Sequence, residues 1–390
     1  MDMMKYTCNA DDFGCRFWAL ARRAEYSARP VLLSVLAAVL VAGCAATPVS
    51  EKPGGAACAQ PGHWVEPATG KHLAPKTIFK ALSNRQVVLL GETHDHKGDH
   101  LWQAQMLAAL HGSHPNAIVA FEMFPRSVQP VLDKWVKGKL SEKAFLEKAR
   151  WNEVWGFDEG FYMPMFQFAR QNRLPMIAMN VDRDLIRKVG KKGWSAVPEN
   201  ERRGIGTPAP ASEAYRRSLV DVYREKMKRR SPHHRPPKDK PPATKSAPGD
   251  APPTIEAILE NPAFQNFVEA QLTWDRAMAE AIATALQKNP DALILGVIGR
   301  GHAEFGYGVP HQLRHLGITD TAVALPITVS DCPELPRNIA EAVFLVADPE
   351  PEPLAKPKPL LGVLIENADK GVRIARVTKN SAAERAKLAK

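Results

Sequence analysis

The sequence predicts an α/β domain: a mostly parallel sheet with flanking helices, followed by a small β tail. Three observations carry this. Five short runs are continuously apolar, not alternating, as strands covered on both faces require. Helical periods lie between those runs, which is the order of a parallel sheet with crossover helices. A chain of 390 residues with 45% apolar and 24% charged residues has the material for a sizeable core.

The expected strands are "QVVLL" (86–90), "AIVAFE" (117–122), "MIAMN" (176–180), "ALILGVIG" (292–299) and "TAVALPITV" (321–329). Between them helical patterns cover 100–110, a pair within 128–172, and a long amphipathic stretch at 264–286. The domain is expected over 77–347, interrupted at about 229–254 by a Pro- and Lys-rich insertion with no apolar period, read as mobile. His233 and His234 in that insertion read as part of an exposed polar loop. A second proline-rich linker, "DPEPEPLAKPKP", precedes a tail at 360–390 that alternates as strands in "GVLIE" and "GVRIARV". The tail resembles the opening of a PDZ domain whose second half is absent. About thirty residues cannot bury an independent core, so it packs on the main domain or frays.

Arg22, Arg23 and Arg29 precede the apolar run "VLLSVLAAVLVAGC" at 31–44, the pattern of an export signal over 1–43. The run is shorter than the ~20 residues that span a bilayer. Its end, "VAGC", resembles the bacterial lipobox. That resemblance implies that Cys44 is lipidated and begins the mature chain, with 44–76 a linker. Ala45 stands where an inner-membrane retention aspartate would be, so outer-membrane anchoring on the periplasmic side is the expectation. Cys8 and Cys15 would leave with the signal, and the remaining Cys58 and Cys332 are candidates to pair in an oxidising compartment. The formal net charge of +10 sits largely in Lys/Arg/Pro clusters and reads as solvation, with no nucleic-acid partner expected.

The stretch "VVLLGETHDHKGDH" raises the question of chemistry. Glu92 and His94 follow the first strand, Glu122 closes the second, Asn180, Asp182 and Arg183 follow the third, and His302 follows the fourth. In an open parallel sheet, ligands bind beyond the carboxyl ends of the strands. Glu92 and His94 are two apart and project to one side in extended chain, and Gly91, Gly299 and Gly301 permit close approach to a bound group. Glu92, His94, Glu122 and His302 form both the candidate catalytic set and the candidate ligand set for zinc, manganese or iron. Plain structural roles compete: Glu92 or Thr93 as a helix cap, Glu122 paired with Arg126 or Arg183, and His302 donating to a carbonyl. His96 and His100, four apart, read as a solvated first turn.

Four blocks, "LLGETHDHKGDHLWQAQML", "AFEMFPRSVQPVLDKW", "MNVDRDLIRKVGKKGW" and "GRGHAEFGYGVPHQL", together resemble the ChaN-type haem-binding lipoproteins, a branch of the group that includes the TraB/Tiki and erythromycin-esterase-like proteins. The resemblance covers about 77–329. It implies haem as ligand, iron or haem uptake as function, a homodimer enclosing the flat ligand, and a tyrosine as axial ligand. Tyr162 and Tyr307 are the candidates, with His94, His302 and the cation Arg183 as further contacts. The relatives imply a rival, a hydrolase using a divalent metal held by the same Glu and His set. A third reading is a periplasmic interaction module using the tail and the basic loop.

Overall fold

The structure, a computed structural model, describes residues 60–230, 253–349, 361–368 and 371–388. The expected signal at 1–43, Cys44, Cys58 and nearly all of the insertion lie outside these.

In chain order the elements are β1 (Trp64–Glu66), β2 (Lys71–Leu73), α1 (Pro75–Ser83), β3 (Val87–Glu92), α2 (Lys97–Ser113), β4 (Ile118–Pro125), α3 (Gln129–Val136), α4 (Glu142–Lys148), α5 (Trp151–Val154), α6 (Glu159–Gln171), β5 (Met176–Asn180) and α7 (Arg183–Lys192). There follow α8 (Glu213–Arg230), α9 (Ile255–Leu259), α10 (Pro262–Lys288), β6 (Ile294–Gly299), α11 (Val309–His315), β7 (Thr321–Thr328), β8 (Ala342–Val346), β9 (Val363–Ala368), β10 (Gly371–Val377) and α12 (Ala382–Arg385).

Eight strands form one sheet in the order β2-β1-β8-β7-β3-β6-β4-β5. The six strands from β8 to β5 are mutually parallel, and β1 and β2 close one edge antiparallel. Side chains alternate across this sheet into two cores. Val88, Leu90, Val119, Phe121, Leu295 and Val297 face a layer that includes α2 and α6, while Leu89, Ala120, Ile294, Ile298 and Leu325 face one that includes α10 and α11. The continuous apolar runs follow from this double cover. α10 begins at a cap in which the Asn261 side chain accepts from the Ala263 N–H, with Pro262 at its first position.

Three features differ from the sequence expectation. The segment 64–73, read as linker, forms the β1–β2 hairpin, and Trp64 is buried against Trp102 and Phe344 with ring centroids 6.1 and 5.2 Å away. Three-residue strands are too short to show a period, and only pairing with β8 makes them strands. β8 was likewise not among the expected strands. The helix pair expected within 128–172 is four helices, because Gly138 and Gly156 at φ of +71° and +86° and a left-handed Arg150 interrupt it.

The tail is a two-stranded antiparallel sheet, β9 with β10, followed by α12. Leu364, Ile365 and Val372 are exposed on it.

Candidate functional site at the carboxyl edge of the sheet

The helix after β3 packs on one face of the sheet and the helix after β6 on the other, although β3 and β6 are neighbours. Chain reversal of this kind opens a crevice beyond the strand ends. Glu92 ends β3 and lies opposite Gly299, the last residue of β6. Glu122 on β4 reaches the same place, its Oε2 accepting the Gly299 N–H at 2.6 Å. His302 follows in a short turn, and its Nε2 is 3.6 Å from Glu122 Oε1. A Cβ added to Gly299 would lie 2.7 Å from His94 Cε1 and 3.5 Å from Glu122 Oε2. Glu92, His94, Glu122 and His302 therefore meet around one glycine.

Each imidazole is held at Nδ1 by a carboxylate. His94 Nδ1 is 2.6 Å from Glu92 Oε1, and His302 Nδ1 is 2.6 Å from Asp275 Oδ1. Asp275 is fully buried on α10, and its other oxygen accepts the Tyr215 hydroxyl at 2.9 Å. Beneath β3, buried His100 pairs with Gln103 and with the His94 carbonyl, and Gln103 donates to the Leu90 carbonyl at 2.9 Å. Glu92 Oε2 is buried without a hydrogen bond, 4.0 Å from His100 Nε2. Trp155 and Phe157 wall His94 at 4.7 and 5.1 Å, and Trp274 meets His302 edge-on at 6.1 Å.

These surroundings set the charges. Burial pushes the Glu92 carboxyl up to about 7 against the opposing pull of His94. Burial opposes the charged form of His302, but the carboxylates of Glu122 and Asp275 outweigh it and raise the imidazole to about 9. His94 is raised in the same way, burial being outweighed by its bond to Glu92. His302 is thus a cation near neutrality, and burial brings the Glu92 carboxyl into the range where it titrates near neutral pH.

Tyr162 is fully buried, its hydroxyl donating to the His94 carbonyl at 3.4 Å and its ring packed 4.3 Å from His100 and 5.2 Å from Trp151. Burial raises its phenol well above the usual range, so it stays neutral. Tyr307 stacks on Phe305 at 5.2 Å and 22°, 5.8 Å from Tyr215, and its hydroxyl has no hydrogen-bond partner among the described residues. Arg183 opens α7 at the end of β5, exposed. Asn180 donates to the Glu122 carbonyl at 3.0 Å. Arg126 binds Glu280 and the Ala277 carbonyl, not Glu122.

Several expectations are corrected. The set His94, His302, Glu92 and Glu122 is not a metal cage: among the described residues no group of three or more His, Cys, Asp or Glu is placed to hold a metal ion. Of the would-be ligand atoms, Glu122 Oε2 is already taken by the Gly299 backbone N–H. Gly91 and Gly299 face protein, Leu325 and His94 respectively, and only Gly301 faces open space. His100 is buried, not solvated, and His96 caps α2 beside Asp99. Asp275 and Tyr215 went unassigned. Asp275 carried a signal, since an acid stands on the apolar stripe of α10 between Leu272 and Ala279.

The model of the family described as "Haem-binding uptake, Tiki superfamily, ChaN" matches residues 78–313, which contain every group of this rim. The chain belongs to the ChaN family. A solved ChaN of Campylobacter jejuni, with cofacial haem binding, superposes with a TM-score of 0.52 at 18% identity, covering 73% of this chain and 97% of that one. At that identity it shows that the fold is the ChaN fold. An erythromycin esterase in its open conformation matches with a TM-score of 0.38 at 12% identity, over 65% of this chain and 72% of that one. No curated protein matches the chain. In this ChaN chain Cys332 is buried and disulfide-bonded, and the partner expected from the sequence, Cys58, lies outside the described residues.

Proposed function

We propose that this protein binds haem at the carboxyl edge of its sheet and serves haem or iron uptake, anchored through Cys44 to the outer membrane on its periplasmic face. The observation that carries the reading is the family match over 78–313, which spans all four sequence blocks. The donor set fits haem. Tyr307 combines a phenol with no hydrogen-bond partner among the described residues and a stacked Phe305 wall, whereas Tyr162 is enclosed in the core. Tyr307 is therefore the proposed axial ligand, the rim imidazoles His94 and His302 line the ligand, and Arg183 is the proposed propionate contact. Bound ferric haem supplies a Lewis-acidic iron; the protein supplies the ligand, the apolar wall and the cations. A homodimer enclosing the ligand is part of the proposal.

The test is a titration of the full chain with ferric haem. A shifted Soret band is expected, with affinity lowered tenfold or more in Tyr307→Phe and unchanged in Tyr162→Phe. An unshifted spectrum removes the haem reading. Mass spectrometry of the membrane fraction reads the anchor: a lipid-modified Cys44 as first residue is expected.

One observation favours a second reading. Two imidazoles, each held at Nδ1 by a carboxylate, face one crevice, which is an acid–base arrangement that needs no metal. Ester or peptide turnover resistant to chelators and lost in His302→Ala would favour hydrolysis over haem handling.

A further inference from the structure

α7 is two-faced. Leu185, Ile186 and Val189 are buried, and the helix packs on α10. Arg183, Arg187 and Lys191 project from the opposite face at i, i+4 and i+8, and Lys192 ends the helix on a different side, all exposed. Their spacing of four residues sets them ~6 Å apart along the helix. The nearby acids are engaged elsewhere: Asp184 holds Arg203 at 3.0 Å and Glu201 holds Lys188 at 2.9 Å. Among the described residues none of Arg183, Arg187, Lys191 and Lys192 has an ion-pair partner. Like charges at i, i+4 destabilise a helix, an effect offset at Lys191 and Lys192 by the helix dipole of the last turn.

A haem carries two carboxylates, and the Arg183 end of α7 is the part that adjoins the sheet edge through β5. Arg187 and Lys191 continue away from it along a convex ridge, and Lys192 adds a cation at the helix end. A convex ridge cannot cup a small anion, but it matches a flat anionic surface.

We propose that the outward face and carboxyl end of α7 dock on an anionic phospholipid bilayer through Arg187, Lys191 and Lys192. Headgroup attraction adds per basic residue and falls with salt. The docking turns the Arg183 end of the helix, and the sheet edge beside it, toward the lipid surface.

The experiment uses the full chain carrying Cys44→Ser, so that no acyl anchor contributes. Partition onto phosphatidylglycerol/phosphatidylcholine vesicles is compared with partition onto pure phosphatidylcholine. An excess on the anionic vesicles is expected, suppressed by 0.5 M salt as a control on its electrostatic origin. In the Arg187→Gln, Lys191→Gln, Lys192→Gln triple variant the excess is expected to fall on the order of a hundredfold. Arg187→Lys keeps the charge and is expected to keep the excess. The triple variant retains Arg183 and Tyr307, so its haem titration is expected to match the parent, which separates this proposal from the haem reading. The proposal is overturned if the parent shows no anionic preference, if the triple variant retains it, or if the same three residues bind duplex DNA while vesicles are ignored.

Discussion

Asp275 Oδ1 lies 2.6 Å from His302 Nδ1, and Asp275 Oδ2 accepts the Tyr215 hydroxyl at 2.9 Å, so a single buried carboxylate joins the sheet edge to the helical layer behind it. Removing one partner of a buried charged network strands the others. Asp275→Ala is expected to cost about 3–5 kcal/mol, and Tyr215→Phe about 1–2 kcal/mol. Urea unfolding midpoints at neutral pH check the order. Equal, small losses in both variants would show that the network holds nothing together.

Two of the perturbed groups of the rim, His302 and Glu92, act in the same direction with pH. His302 is raised from 6.5 to about 9, so its stabilisation is full below pH 6.5 and lost as pH climbs through 9. Glu92 is raised from 4.5 to about 7, so folding favours its protonated form and stability falls as pH rises across that interval. Glu92→Gln is therefore expected to be more stable than the parent at pH 8 by about 1–3 kcal/mol, the gap closing toward pH 4.5. Stability curves of the two proteins measured between pH 4.5 and 9 provide the comparison; a parallel pair of curves contradicts the assignment.

Gly299→Ala places a methyl 2.7 Å from His94 Cε1. The ring is about one-third exposed and has room to swing outward. A modest stability loss, under about 1.5 kcal/mol, is expected, together with loss of the Glu92–His94 hydrogen bond. Histidine resonances followed by NMR should show His94 titrating lower in the variant, because it no longer touches the Glu92 carboxylate.

Cys332 sits among Leu335, Ile339 and Leu345 in the core on the α10 side. Peptide mapping without reductant is expected to recover it linked to Cys58. Cys332→Ser is expected to cost about 2–4 kcal/mol. Recovery of Cys332 linked to another cysteine, or free, would refute the pairing.

Haem addition is expected to shift the protein toward a homodimer, read by light scattering with and without ligand. A monomer at haem saturation would mean that one chain shields the ligand alone.

How much of this was legible depends on the distance over which a signal acts. Parallel strands buried on both faces must be apolar throughout, so their positions and the α/β class are written locally in runs such as "VVLL" and "ILGVIG". Glu92, Glu122 and His302 were legible for the same reason, since polar residues directly after such runs fall on the sheet's carboxyl edge. β1, β2 and β8 were not, because short strands are specified by the neighbour they pair with, not by their own pattern.

The sequence by itself determined the fold class, the family blocks and the residue types that reach the rim, because local periodicity and strand-end position need no partner. Only the tertiary structure decided which atoms meet: Glu92 with His94, Asp275 with His302, the enclosure of Tyr162 and the stacking of Tyr307 on Phe305. Burial and hydrogen bonding at a site depend on side chains brought together from Glu92 to His302 by the strand order, and no local stretch of chain records that order.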